Sequence, residues 1–163
     1  MARKKAGKIK SGLGTLIGNS GEHYVMAELL KREAVAALAP RNAPGFDILA
    51  TKGNKTVRIR VKTKTEKYDS WQWNADAEGT VFKVPPGQDD FMVLVHLTQE
   101  TQALRFFIAP TKDIEDWLRN DFDEWLRTPG AKGQQRSETN KKRLLSMAKY
   151  EGRLSTDWET LWK

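Results

Sequence analysis

The chain has 163 residues and a net charge of +7 at neutral pH, and 39% of its residues are hydrophobic. This length and composition predict one globular domain with a sizeable core and exclude a disordered chain. Cysteine is absent, which excludes disulfides, thiolate zinc sites and cysteine nucleophiles, and the lack of a long apolar run or signal pattern predicts a cytoplasmic protein with no membrane partner.

Positive charge is concentrated at both ends of the chain. Residues 1–10 carry +5 and residues 129–163 carry +4, whereas residues 111–128 carry −3. Separate basic segments of this kind predict a polyanionic partner, DNA in the first place with RNA left open. Basic tails that only aid solubility are the alternative.

The first third of the chain predicts an arm, one helix and three strands. Residues 1–19 are basic and then glycine-rich, which is typical of a flexible arm, and Asn19 or Ser20 is expected to cap a helix ending near Arg32. Three strand predictions follow, with the turn "KGNK" joining the last two as a hairpin: residues 35–39, 45–51 and 56–65.

The stretch 56–65, "TVRIRVKTKT", alternates strictly. Its apolar or β-branched residues predict a strand with one face in the core. Its other face carries four cations and no acid: Arg58, Arg60, Lys62 and Lys64. Because like charges on alternate residues repel one another, we expect something negative to face them.

The second half predicts further strands and then helices. "SWQWN" and "TVFKV" are interpreted as strands, and "FMVLVHL" is expected to pair with "LRFFIAP" across "TQETQ". Helices are predicted over 111–119 and 122–127, and a basic helix over 137–150 that carries Lys141, Lys142 and Arg143. The predicted organisation is therefore a single domain over 20–163, with its core in 20–110 and a helical extension from 111.

Three polar residues stand out in this layout. Glu22 lies at the head of the apolar stripe of the first helix, Asp47 interrupts an otherwise apolar strand start, and Lys62 lies on the cationic strand face. A hairpin brings the two strands side by side, so Asp47 and Lys62 are expected to converge, and Glu22 joins them if the helix packs on the same sheet. Each residue also has an ordinary interpretation: a helix N-terminal acid, a turn residue and a solvated lysine.

The order of these features resembles the core of the PD-(D/E)xK nuclease superfamily, which has the restriction-endonuclease-like fold. The first motif is present as "PGFD", ending at Asp47, and the second as Arg60-Val61-Lys62, after a helix that carries Glu22. The resemblance covers residues 20–65, and the segments "FFIAPTKDIEDWL" and "WLRTPGAKG" also resemble uncharacterised bacterial members. It implies an α/β fold with a mixed central sheet flanked by helices.

The resemblance also implies metal-dependent hydrolysis of phosphodiester bonds. Asp47 is then the principal ligand of Mg²⁺ or Mn²⁺, Glu22 binds the metal directly or through water, and the carbonyl of Val61 is a further ligand. Lys62 is expected to position the attacking water or to stabilise charge on the phosphate.

Arg60 is the main departure from the family pattern, because the family has an acid or Gln two residues before the lysine. Arginine cannot bind a cation. Either Glu22 and Asp47 hold the metal while Arg60 clamps the scissile phosphate, or the site has lost its metal and keeps only phosphate affinity. A second departure is that no helix is evident between residues 65 and 91.

Three functional interpretations remain open from the sequence. The first is a nuclease that acts on DNA, either as a monomer or as a homodimer. The second is an inactive nucleic-acid-binding protein of the same fold, in which phosphates are bound by the strand cations together with Lys141, Lys142 and Arg143. The third is a protein-interaction subunit that uses the acidic segment 111–128.

Overall fold

The structure of the protein is a computed structural model. It describes residues 13–40, 43–98 and 104–163. The basic segment 1–12 and most of the turn "TQETQ" lie outside the described residues. The helices are α1 Leu13–Lys31, α2 Thr111–Arg127 and the one-turn α3 Met147–Tyr150. The strands are β1 Val35–Leu38, β2 Ile48–Lys52, β3 Lys55–Thr65, β4 Ser70–Asn74, β5 Asp90–Leu97, β6 Leu104–Pro110 and β7 Lys142–Ser146.

A five-stranded mixed sheet forms the centre of the molecule, in the order β1-β2-β3-β5-β6. The pair β3–β5 is parallel, and the other neighbours are antiparallel. The hairpin β2–β3 and the pairing of β5 with β6 confirm the sequence predictions. Parallel strands need a crossover connection, and residues 66–89 provide it without a helix, through β4 and loops.

The start of α1 differs from the prediction. The helix begins at Leu13, so the segment that looked like the end of an arm is helical. Glycine has a low helix propensity, which is why the sequence suggested a later start near Asn19.

Segment 137–150 also differs from the prediction of a basic helix. Lys142–Ser146 form β7, which pairs antiparallel with β4 in a two-stranded ribbon that we call the β4–β7 ribbon. Leu145 is fully buried in this arrangement. The extension from residue 111 therefore contains a strand as well as helices, and α2 is one continuous helix in place of the two that were expected.

Each face of the central sheet buries its own apolar cluster. On one face α1 packs over Val57 and Ile59 of β3, with Trp158 and Leu161 from the end of the chain. On the other face α2 and the β4–β7 ribbon cover Met92 of β5 and its neighbours. The C-terminal tryptophans Trp158 and Trp162 both take part in the packing of the first cluster. No helix in the described part of the chain is long and apolar enough to cross a bilayer.

His96 of β5 is buried, and neither of its ring nitrogens has a hydrogen-bond partner among the described residues. Burial lowers the pKa of His96, the charges of Lys64 and Arg105 lower it further, and those of Glu66 and Glu151 oppose the change. As the pH falls through the ordinary histidine pKa of about 6.5, His96 becomes protonated in the unfolded chain but stays neutral in the folded chain, where its pKa is lower. The free energy of unfolding should therefore decrease towards acid pH.

We expect His96→Phe to remove this part of the pH dependence. Urea unfolding between pH 7.5 and pH 5 should show a steeper loss of stability in the unsubstituted protein than in the variant. Parallel curves for the two proteins would contradict this account of His96.

Candidate active site

Asp47 lies directly before β2 and is held against β3 by two hydrogen bonds. Its backbone N–H donates to the carbonyl of Ile59, and its carboxylate Oδ2 accepts from the backbone N–H of Val61 at 2.7 Å. Burial raises the pKa of Asp47, although the bond from Val61 and the charges of Arg60 and Lys62 act in the opposite direction. A partly desolvated carboxylate is thus fixed beside the middle of the central strand.

Glu22 and Asp47 line the same cavity of about 430 Å³, together with His23 and Phe46. Glu22 is the tenth residue of α1, so it lies well beyond the first turn, where the helix dipole stabilises acids. The interpretation of Glu22 as an ordinary N-terminal helix acid is therefore wrong.

Lys62 is near enough to Asp47 to feel its negative charge. A second cavity of about 260 Å³ is lined by Asp47, Lys62, Arg60 and Val61, and it shares Phe46 with the first. Burial lowers the pKa of Lys62, and the negative charge of Asp47 opposes that change. Asp47 therefore lines both cavities, one with Glu22 and the other with Lys62.

The Arg60 side chain is fixed within the protein. Its Nη2 donates to the carbonyl of Val84 at 2.8 Å, its guanidinium lies 4.7 Å from the centre of the Phe82 ring, and its Nε is buried without a partner among the described residues. Burial lowers the pKa of Arg60, while the charges of Asp90 and Asp47 raise it.

The cationic face of β3 is covered by aromatic rings. The ammonium of Lys62 lies 5.4 Å from the ring centre of Trp73, and that of Lys64 lies 5.1 Å from the ring centre of Trp71. Aromatic faces carry negative potential and attract cations. Among the described residues, the expectation that something negative faces this strand is met by a direct ion pair at Arg58, which binds Asp90, and by the nearby charge of Asp47 at Arg60 and Lys62.

The other cations proposed from the sequence as phosphate ligands are dispersed. Lys64 and Arg143 are 5% and 6% exposed, which leaves little access for a phosphate. Arg143 donates to the carbonyls of Asn140 and Lys142. Lys142 is the first residue of β7 and Lys141 precedes it; both are exposed, and neither lines a cavity next to Asp47.

Sequence reasoning missed the aromatic partners of this site. Trp73 belongs to a strand that was predicted, but nothing local indicated which strand it would face. Phe82 and Val84 were assigned to a strand in "TVFKV"; that strand prediction is wrong, because residues 80–84 form no strand and instead contact Arg60. The alternation in "SWQWN" was the one available signal, since Trp71 and Trp73 are both buried on one side.

The donor set beside Asp47 suits Mg²⁺, which accepts one or two carboxylates with water in the remaining positions. Asp47 and Glu22 are the acids present, and the carbonyl of Val61 points to the strand edge where its N–H meets Asp47, since both groups of a strand residue point to the same side. No group of three or more His, Asp or Glu side chains able to hold a metal occurs in the described ranges. A Mg²⁺ ion at this place would have Asp47, Glu22 and the Val61 carbonyl as protein ligands and water in its remaining positions.

The chain has a restriction-endonuclease-like fold, as its sequence predicted. The structure is similar to that of Hjc, a Holliday junction resolvase from the hyperthermophilic archaeon Archaeoglobus fulgidus, with a TM-score of 0.50 and 18% identity over 90% of this chain and 96% of that chain.

A bacterial homing endonuclease is similar over 64% of this chain and 72% of its own, with a TM-score of 0.47 and 20% identity. The fold assignment rests on the resolvase, because the homing endonuclease covers less of the chain and superposes less well. No family model and no curated protein matches the sequence.

Proposed function

We propose that the protein is a metal-dependent nuclease that hydrolyses phosphodiester bonds in DNA. The observation that carries the proposal is the meeting of two cavities at Asp47, one lined by Glu22 and the other by Lys62. The nuclease-like fold supports this choice among the reactions that a carboxylate pair and a lysine could perform.

Each residue has a distinct role in the proposed reaction. Asp47 and Glu22 would hold Mg²⁺ or Mn²⁺, with the Val61 carbonyl as a further ligand, and the metal would supply Lewis-acid activation of water and phosphate. Lys62 would bind a phosphate oxygen and stabilise the negative charge that develops there. Arg60, fixed at Val84 and Phe82, would contribute positive potential for the scissile phosphate.

A plasmid-nicking assay tests the proposal. We expect supercoiled DNA to be nicked with Mg²⁺ or Mn²⁺ and not after chelation, and Lys62→Met to slow nicking about 100-fold, the scale set by one electrostatic donor. Lys67→Met is the matched control, because Lys67 is exposed in the turn after β3. Cleavage that survives chelation, or that is equal in Lys62→Met and Lys67→Met, would contradict the proposal.

A second candidate is a nucleic-acid-binding protein without catalysis, and the presence of Arg60 where the family has an acid favours it. Binding would then fall steeply with salt, with a log–log slope of about −0.9 for each neutralised phosphate. In the assay above, DNA binding without any metal-dependent nicking would select this candidate. DNA is the partner we propose for both candidates, with RNA as the comparison substrate in the same binding measurement.

A further inference from the structure

The ammonium of Lys62 is held differently from that of its neighbour on the same strand face. Lys64 donates a hydrogen bond to the carbonyl of Tyr68 at 2.8 Å, which occupies part of its ammonium. For Lys62, no hydrogen bond to another described residue is found, and its contacts are the Trp73 ring and the field of Asp47. Its donors therefore remain available to a phosphate that enters the cavity.

An aromatic face restrains a cation without using its hydrogen-bond donors. The Lys62 ammonium lies 5.4 Å from the centre of the Trp73 ring, and both residues line the cavity that contains Asp47. A lysine has four side-chain torsions, and confining them has an entropic cost. A ring already in place limits that freedom before the substrate binds, which is the advantage of preorganisation.

Trp73 is itself rigidly placed. It is 9% exposed and belongs to the second apolar cluster. It lies in β4, where it pairs with Arg143 of β7. Because β4 occupies the connection between the parallel strands β3 and β5, the segment that replaces a crossover helix supplies one wall of the cavity.

We propose that Trp73 is the positioning residue of Lys62, and that its ring holds the ammonium in the cavity lined by Asp47 while leaving its donors free for a substrate phosphate. The inference rests on the proposed nuclease function and names a residue of that site which acts through another side chain. Trp73 does not touch the reacting atoms in this account.

The first test compares three variants by nicking rate per folded molecule. Trp73→Leu should lower kcat by roughly 3- to 30-fold, the range of one cation–π contact, with little change in KM. Trp73→Phe keeps an aromatic face and should restore most of the rate. Trp71→Leu is the matched control, because it removes the ring beneath Lys64 from the same strand.

A second measurement does not depend on activity. The ε-methylene protons of Lys62, assigned by comparison with Lys62→Arg, should be shifted upfield by the indole ring in NMR spectra and should lose that shift in Trp73→Leu. If the shift is present but the protein cleaves nothing, the nuclease proposal fails while the ring contact stands. The positioning inference is overturned if no shift occurs, or if Trp73→Leu slows cleavage no more than the Trp71 control.

Discussion

Replacing Asp47 by Asn should abolish cleavage and raise stability at the same time. Asn is neutral and of the same size, and its side-chain oxygen can still accept the hydrogen bond from the Val61 N–H. Burial is the largest influence on the carboxylate and raises its pKa above the ordinary value, so the charged form is disfavoured in the fold. The variant removes the desolvated charge together with the principal metal ligand.

The expected loss of activity is at least about 100-fold, because changing even the supporting groups of a metal site costs 10- to 100-fold. Thermal unfolding should show a higher Tm for Asp47→Asn at pH 7. The difference should shrink as the pH falls through the raised pKa of Asp47, since the folded protein then carries a neutral acid at this position.

Asp89→Asn is the matched control for this pair of measurements. Asp89 is exposed and forms a loose ion pair with Lys55 at 3.6 Å, a contact that contributes little to stability. Unchanged nicking in Asp47→Asn would exclude Asp47 as the metal ligand. A Tm below that of the unsubstituted protein would mean that the attraction of the Asp47 carboxylate to Arg60 and Lys62 outweighs the cost of its desolvation.

Substituting Ala for Gly21 should move α1 away from the sheet. A Cβ at this position would lie 1.9 Å from Thr63 Oγ1 and 3.0 Å from Thr63 Cβ, and the first distance is too short for any real Cβ contact. Overpacking costs about 1–3 kcal/mol, and Ala returns up to about 1 kcal/mol of helix propensity. We therefore expect a net loss of about 1–2 kcal/mol in the free energy of unfolding, measured by urea titration.

Two comparisons make this expectation specific. Gly18→Ala lies in the same helix with nothing within 4 Å of its added Cβ, so it should stabilise the protein by up to about 1 kcal/mol. Thr63→Ala removes the closest atom and should partly rescue Gly21→Ala. Glu22 follows Gly21 directly, so displacement of α1 should also reduce the nicking rate. Equal stability of the Gly18 and Gly21 variants would contradict the close approach of α1 to β3.

The candidate site could be anticipated because its members are carried by the most regular parts of the chain. Strict alternation fixed the face of β3 on which Lys62 lies, and the short turn before β3 fixed its pairing with the strand that follows Asp47. The convergence of Glu22 and Asp47 required one further condition, the packing of α1 on the same sheet. Gly21 makes that packing close, but its role is visible only in the structure.

The strand assignments that failed involve long-range pairing. The segment around Leu145 has the composition of a basic helix, yet it forms β7 because β4, about seventy residues earlier, offers it a partner. Such pairing depends on contacts remote in the sequence, whereas a helix depends on local hydrogen bonds. For the same reason, no local pattern distinguished Phe82 as a partner of Arg60 from an ordinary strand residue.

The amino-acid sequence by itself determined the periodic features of this protein: the central strand, its row of cations, and the order of Glu22, Asp47 and Lys62 along the chain. The tertiary structure alone decided what covers that row. Charges on a strand face can be satisfied by solvent, by acids or by aromatic rings, and the choice depends on which distant segment packs there. Here the β4–β7 ribbon brings the tryptophan rings over Lys62 and Lys64, because apolar burial and cation–π attraction favour the same arrangement.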